Sequence, residues 1–307
     1  DKLEAPDNNA DRNFYTKMSA IRRIVTALLL LAAVGFLLVA TLYSLTLPLR
    51  SSLTLLDSAV LLAIFAAYAW RLAQMPATEP ELSGVSHWIG GQPRGPRRAW
   101  VGGLFVGAAL VILFSAEHFA ESLVETGSDL GVDEFLLVQW IAPLASESPE
   151  LMVACLLAWR LKGGDALGAL LSSKVNQWTL LIGGLPIVFA LTHVGLDGLP
   201  VDAEQRYELL ITGAQSLLAI ALLVTLRLTV RSALLLLTLF MVQLLASVLG
   251  SDRVHDVTIV AMSGVYLALA VVLLVLRWRA LVEGARTAFV RDLGTVATEP
   301  SQSSEGR

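Results

Sequence analysis

Eight stretches of this chain stay apolar for about twenty residues, the length an α-helix needs to cross the hydrocarbon core of a bilayer. They run roughly over 24–47, 53–74, 100–123, 135–159, 167–192, 207–226, 232–250 and 257–276. One such run could be a signal peptide or a buried core helix; a succession of them leaves only a polytopic membrane protein. In lipid every backbone N–H and C=O must be satisfied within the protein, so spans are helices or strands of a closed barrel. None of the runs alternates apolar and polar residues as a barrel strand does. The chain is therefore read as an all-α polytopic membrane protein with about eight transmembrane helices. Its charged fraction of 16%, against about 25% in soluble domains, excludes a water-soluble enzyme. Cys155 is the only cysteine, which leaves no disulfide framework and no multi-cysteine metal site. Neither a bound cofactor nor a nucleic-acid partner is expected.

Charges between the runs set orientation, because Lys and Arg are retained on the cytoplasmic side. Arg22 and Arg23 precede the first run, and Arg71, Arg94, Arg97 and Arg98 flank the loop after the second. Arg160 and Lys162 follow the fourth, Arg227 and Arg231 follow the sixth, and Arg277, Arg279, Arg286 and Arg291 follow the eighth. The alternate loops carry Glu125, Asp129, Asp133 and Glu134, then Asp202 and Glu204, then Asp252 and Asp256. Arg50, in the short first loop, is the exception. Both termini are expected in the cytoplasm of a multi-pass cell-membrane protein. The expected organisation is a polar segment 1–20, two transmembrane helices over 21–74, a Pro- and Gly-rich cytoplasmic linker 75–99 and a five-helix block 100–250. An additional helix over 251–284 and a polar tail 285–307 follow. Residues 18–40 also have the layout of a signal peptide, but the residues ahead of Met18 and the apolar continuation to Leu47 argue against cleavage.

An ionisable side chain inside a span costs at least ~2.5 kcal/mol near the bilayer centre on insertion scales, so it marks function by default. The fourth run reads EFLLVQWIAPLASESPELMVACLLAW. Glu147 and Glu150 lie three apart and Ser146 four before Glu150, so the three share one helical face. Pro149 lacks a backbone donor and, with Pro143, is expected to break the helix locally. Carboxylates and freed carbonyls are hard oxygen ligands suited to Na⁺ or Ca²⁺, and interrupted helices near the midplane hold ions in many secondary transporters. The fifth run, GDALGALLSSKVNQWTLLIGGLP, carries two polar stripes, Ser173 with Gln177 and Ser172 with Asn176, and Lys174 lies between them. Gly163, Gly164, Gly168, Gly183 and Gly184 permit close helix approach. Singly, Ser172 or Asn176 reads as readily as an interhelical hydrogen-bonding group as a ligand. Gln215 and Gln243 read as interhelical glue, Trp140 and Trp178 as walls of a site or as packing, and Cys155 as a small apolar filler. Glu117 and Glu121 read as reaching the outer interface, with a site role left open.

At these residues the sequence resembles the cation/Ca²⁺ exchanger superfamily, which includes the sodium/calcium and calcium/proton exchangers. That family's repeat runs L-G-V-S, an apolar stretch, G-T-S-L-P-E, then a helix with G-x-x-x-G-S-N-x-x-(N/D). The matching pieces are Leu130-Gly131-Val132-Asp133, then Ala145-Ser146-Glu147-Ser148-Pro149-Glu150, then Gly168 with Ser172-Ser173-Lys174-Val175-Asn176-Gln177. The match spans about residues 104–190. The resemblance implies two inverted five-helix halves, each giving one repeat to a shared midplane ion site. The chain is then the C-terminal half of such a fold, and a missing N-terminal half, upstream of Asp1, is expected to carry the other repeat. By the same resemblance Glu150 is the ion-binding glutamate, Ser146 stands for a threonine, Ser173 for a serine, and Gln177 falls at the terminal Asn/Asp; Glu147 and Asn176 complete the candidate ligand set. Two positions depart from the pattern: Glu147 replaces a serine and Lys174 an asparagine. An added carboxylate and a fixed ammonium change how many cations bind, with Lys174 balancing charge. The implied function is a secondary cation antiporter, exchanging Ca²⁺ or Na⁺ against Na⁺ or H⁺. The alternative is a non-transporting membrane protein that retains the repeat; an intramembrane hydrolase has no Ser/His or Asp/Asp pair to support it.

Overall fold

The computed structural model describes residues 8–75, 84–131, 142–193, 198–249 and 252–289. They form α1 (Asn8–Ser44), a short 3₁₀ turn (Leu47–Leu49), β1 (Ser52–Leu53), α2 (Leu55–Ala73), α3 (Val85–Gly90), α4 (Arg94–Leu130) and α5 (Ala142–Trp159). Next come α6 (Gly163–Asn176), a π-helical turn (Gln177–Leu181), α7 (Ile182–His193), β2 (Leu199–Pro200), α8 (Ala203–Leu223), α9 (Val230–Leu249), α10 (Asp252–Leu276) and α11 (Trp278–Phe289). The fold is an all-α polytopic membrane protein. Six helices among the described residues are long and apolar enough to span a bilayer: Ile24–Leu49, Leu55–Ala73, Arg94–Ser115, Gly163–His193, Ala203–Leu223 and Val257–Leu276. They coincide with six of the expected runs. The seventh run is the shorter apolar stretch Val230–Ala246 of α9. The fourth lies partly outside the described residues, and its remainder is α5.

The chain divides into two compact units, Asp1–Pro76 with Met152–Arg307, and Ala77–Leu151. In the second, α4 begins at Arg94 with Pro96 in its first turn, where a missing N–H interrupts no hydrogen bond. Trp88 of α3 meets Trp100 of α4 edge to face at 5.4 Å. Leu104, Phe105, Val106 and Phe114 are exposed along α4.

The first unit is built on α1. Leu30, Ala33, Val34, Leu37 and Ala40 are buried at the three- and four-residue spacing of one helical face. They pack with Tyr68 of α2, Leu171 and Val175 of α6, Trp178, and Ile220 and Leu223 of α8. A second core joins Ile211, Ala214, Leu218 and Ala221 of α8 to Ile259, Met262, Tyr266 and Ala270 of α10. Burial of these apolar faces is not what binds helices in lipid; close packing and interhelical hydrogen bonds are. At one end of this unit β1 pairs antiparallel with β2, Ser52 opposite Pro200 and Leu53 opposite Leu199. Arg206 Nε donates to the Pro48 carbonyl beside them at 3.0 Å. The loop after α1 and the loop before α8 therefore lie at one end, as the alternation of loop charges requires. At the other end the Arg277 guanidinium donates to the carbonyls of Ala221 and Leu222, and Arg71 donates to those of Thr287 and Ala288. These arginines cap helix C-termini, where orphan carbonyls and the helix dipole favour a cation.

Arg50, the charge that broke the alternation, is neutralised locally: its Nη1 lies 2.8 Å from Asp57 Oδ1. Asp57 also accepts from Tyr43 Oη at 2.7 Å, the Thr54 amide at 2.7 Å and Thr54 Oγ1 at 2.8 Å. Thr54 and Asp57 make a reciprocal capping box that starts α2.

Boundaries differ from the expectation in three places. The polar segment 1–20 is helical from Asn8, as the start of α1. The 75–99 linker holds α3, and α4 already begins at Arg94. The tail expected from residue 285 starts as helix up to Phe289, because Ala288 is buried and Phe289 stacks edge-on to Phe36 at 4.9 Å. A Cβ at Gly35 would lie 2.9 Å from that of Ala288, so a side chain at Gly35 would hold α11 off α1.

Candidate functional site

The first polar constellation belongs to α5. Pro149 lies inside this helix, so the local break expected at Pro149 is replaced by a helix that runs through it. The reason is covalent: proline removes a single donor, here the one that would bond the Ala145 carbonyl, while the helix on either side keeps its own bonds. Pro143 sits in the first turn, where it costs nothing. Glu147, Pro149 and Glu150 are exposed and Ser148 is half-buried. The two carboxylates and the carbonyl freed by Pro149 place oxygen atoms along one stretch of α5. Ser146 lies on the same helix.

The second constellation belongs to α6 and is described within the other unit. Leu171, Val175 and Trp178 are buried on the side facing α1 and α2. Ser172, Ser173, Lys174 and Gln177 are half-buried, and Asn176 is exposed. Ser172 Oγ accepts a hydrogen bond from Tyr68 Oη at 3.2 Å, the interhelical role its chemistry allowed. Lys174 Nζ donates to Gln177 Oε1 at 3.0 Å, so the ammonium and the last polar residue of the stripe are brought together. Of the glycines, Gly164 and Gly183 make the close approaches: a Cβ would stand 2.8 Å from Thr26 Cγ2 and 3.0 Å from Leu61 Cβ, respectively, whereas Gly163 and Gly184 face open space.

Immediately after the stripe the helix widens into the π turn Gln177–Leu181, in which the Ile182 amide bonds the Gln177 carbonyl. Two local features loosen the α ladder here. Thr179 Oγ1 donates to the Val175 carbonyl at 2.6 Å, competing with the backbone for that acceptor. Pro186, inside α7, leaves the Ile182 carbonyl without its usual donor. Single π turns within α-helices recur at functional sites, and this one adjoins the residues singled out from sequence.

Several polar contacts were not legible beforehand. Trp178 Nε1 donates to Ser216 Oγ at 2.9 Å in a fully buried pair. Gln215 Nε2 donates to Gln243 Oε1 at 2.6 Å; the two glutamines read as glue bond each other. Trp178 packs and hydrogen-bonds away from solvent, and Trp140 lies outside the described residues. Cys155 is exposed rather than a core filler. Glu121 is exposed. Among the described residues no three His, Cys, Asp or Glu side chains gather as a metal cluster.

Residues 100–275 match the family model described as sodium/calcium exchanger protein. Among solved structures, one titled "Crystal Structure of H+/Ca2+ Exchanger CAX" is 37% identical with a TM-score of 0.76, the alignment covering 89% of this chain and 71% of that one. No curated protein matches the sequence.

Proposed function

The chain belongs to the sodium/calcium exchanger family, and on that premise we propose that it is a secondary cation antiporter whose principal ligand is Glu150. The observation that carries this reading is the pair Glu147 and Glu150 around an intrahelical proline on α5, within the matched residues. A carboxylate inside a span is costly unless it binds something, and an oxygen set of carboxylate, hydroxyl, amide and freed carbonyl suits a hard cation. Glu150 alternates between cation and proton. Ser146, Ser173, Asn176 and Gln177 offer neutral oxygens by the family pattern, and Glu147 and Lys174 offset each other in net charge. One negative charge then remains in this half of the ion path, which lowers the number of cations carried per cycle relative to a repeat without Lys174. Similarity to a structure titled as an H⁺/Ca²⁺ exchanger favours Ca²⁺ against H⁺ over the other pairings. The loop charges, with Arg50 neutralised by Asp57, favour both termini in the cytoplasm.

The test is flux of the protein in its complete-length form, both repeats present, in proteoliposomes with an internal Ca²⁺ indicator and a pH dye. Wild type is expected to exchange Ca²⁺ for H⁺, or Na⁺ when the proton gradient is replaced. Glu150→Gln, which keeps shape and loses charge, is expected to insert normally and carry nothing. Full flux in Glu150→Gln refutes the assignment, and wild-type protein that moves no cation under any gradient favours the non-transporting reading.

A further inference from the structure

We propose that Ser216 is a positioning residue for the polar stripe of α6, acting through Trp178 on the π turn. The inference rests on the antiporter reading for its functional consequence but on separate geometry for its cause. Trp178 is the second residue of the π turn, and its indole N–H has one acceptor, Ser216 Oγ at 2.9 Å. Both side chains are buried, Trp178 to 2% and Ser216 to 5% exposure. An indole can only donate, so this contact has a single sense and no substitute within the pair. Ser216 is in turn a fixed point: the adjacent Gln215 is tied to Gln243 of α9 at 2.6 Å, and α8 is packed against α10 through Ile211, Ala214, Leu218 and Ala221.

The π turn is what gives this contact leverage. A π turn holds one residue more than an α turn, so resolving or shifting it rotates everything on one side relative to the other by about 100°, one residue of a 3.6-residue turn. Ser172, Ser173, Lys174, Asn176 and Gln177 all lie on the N-terminal side of that turn or at its first residue. Gln177 opens the turn and receives the Lys174 ammonium at 3.0 Å, so a change in the turn also displaces the amide that Lys174 holds. The Trp178–Ser216 bond therefore sets which way the stripe faces, while touching no ion itself.

The experiment uses the complete-length protein, both repeats present, in proteoliposomes with Ca²⁺ as the probe. Ser216→Ala is expected to raise the KM for Ca²⁺ about tenfold, the effect of losing one buried hydrogen-bond acceptor, with maximal flux kept within about twofold. Ser216→Thr retains the hydroxyl and is expected to restore KM. Trp178→Phe should reproduce the Ser216→Ala shift, and the double variant should be no worse than either single one, since both remove the same bond. A KM unchanged in Ser216→Ala, or one that Ser216→Thr does not restore, overturns the positioning role, as do additive effects in the double variant. Glu150→Gln is measured alongside. Its full activity together with a KM shift in Ser216→Ala overturns the carboxylate assignment alone; its inactivity together with no KM shift overturns the positioning role alone. Wild-type protein that neither binds nor moves Ca²⁺ or Na⁺ overturns both.

Discussion

Replacing Asp57 by Ala is expected to destabilise the protein more than replacing any one of its partners. Asp57 is 1% exposed and gathers four donors from Tyr43, Arg50 and Thr54. Loss of its capping role at α2 costs about 1 kcal/mol. The Tyr43 hydroxyl, left without its acceptor, adds about 1–3 kcal/mol. The Arg50 guanidinium adds little, because its side chain is 40% exposed and water replaces the carboxylate, as for surface ion pairs worth about 0–1 kcal/mol. The sum is about 2–4 kcal/mol, with Tyr43→Phe near 1 kcal/mol and Arg50→Gln below that. At roughly 2–4 °C per kcal/mol for a chain of this size, Asp57→Ala should lower the midpoint of heat-induced aggregation in detergent by about 5–15 °C, read at one scan rate by size-exclusion chromatography. Asp57→Ala within about 0.5 kcal/mol of wild type, or Arg50→Gln costing more than Asp57→Ala, would refute the reasoning.

The charge-balance reading predicts that Lys174→Ala lowers flux severalfold and that Glu147→Ser combined with Lys174→Asn recovers most of it; a double variant no better than the worse single one sinks the reading. Gln243→Leu should cost about 0.6–1.7 kcal/mol, the range of interhelical hydrogen bonds in membranes, and Gln215→Leu with Gln243→Leu should cost less than the two single changes added; thermal midpoints decide it, and simple additivity counts against a shared bond. Gly35→Val puts a side chain where a Cβ stands 2.9 Å from Ala288 and 3.4 Å from the Phe289 ring, so α11 should lift from α1 and tryptic cleavage after Arg286 should accelerate severalfold. Unchanged cleavage would mean that α11 is held by Arg71 alone.

What the sequence by itself determined is the part of this protein written in local spacing and in the cost of placing groups in lipid. Apolar runs of bilayer length became helices, and the three- and four-residue spacing from Leu30 to Ala40 became the packed face of α1. The glutamates around Pro149 with the Ser172–Gln177 stripe carried the family. Gln215 and Gln243 were recognisable as polar glue, but not as each other's partner. Tertiary structure alone decided the pairings: Trp178 with Ser216, 38 residues apart; Tyr68 with Ser172, 104 apart; Arg71 with Thr287, 216 apart. It also decided that Arg50 is neutralised by Asp57, that α5 runs through Pro149, and that the helix after Asn176 widens into a π turn. Burial cost and helical period are properties of a residue and its near neighbours, so they are legible in one dimension. A hydrogen-bond partner depends on the rotation and approach of whole helices, and those follow from packing summed over many distant side chains.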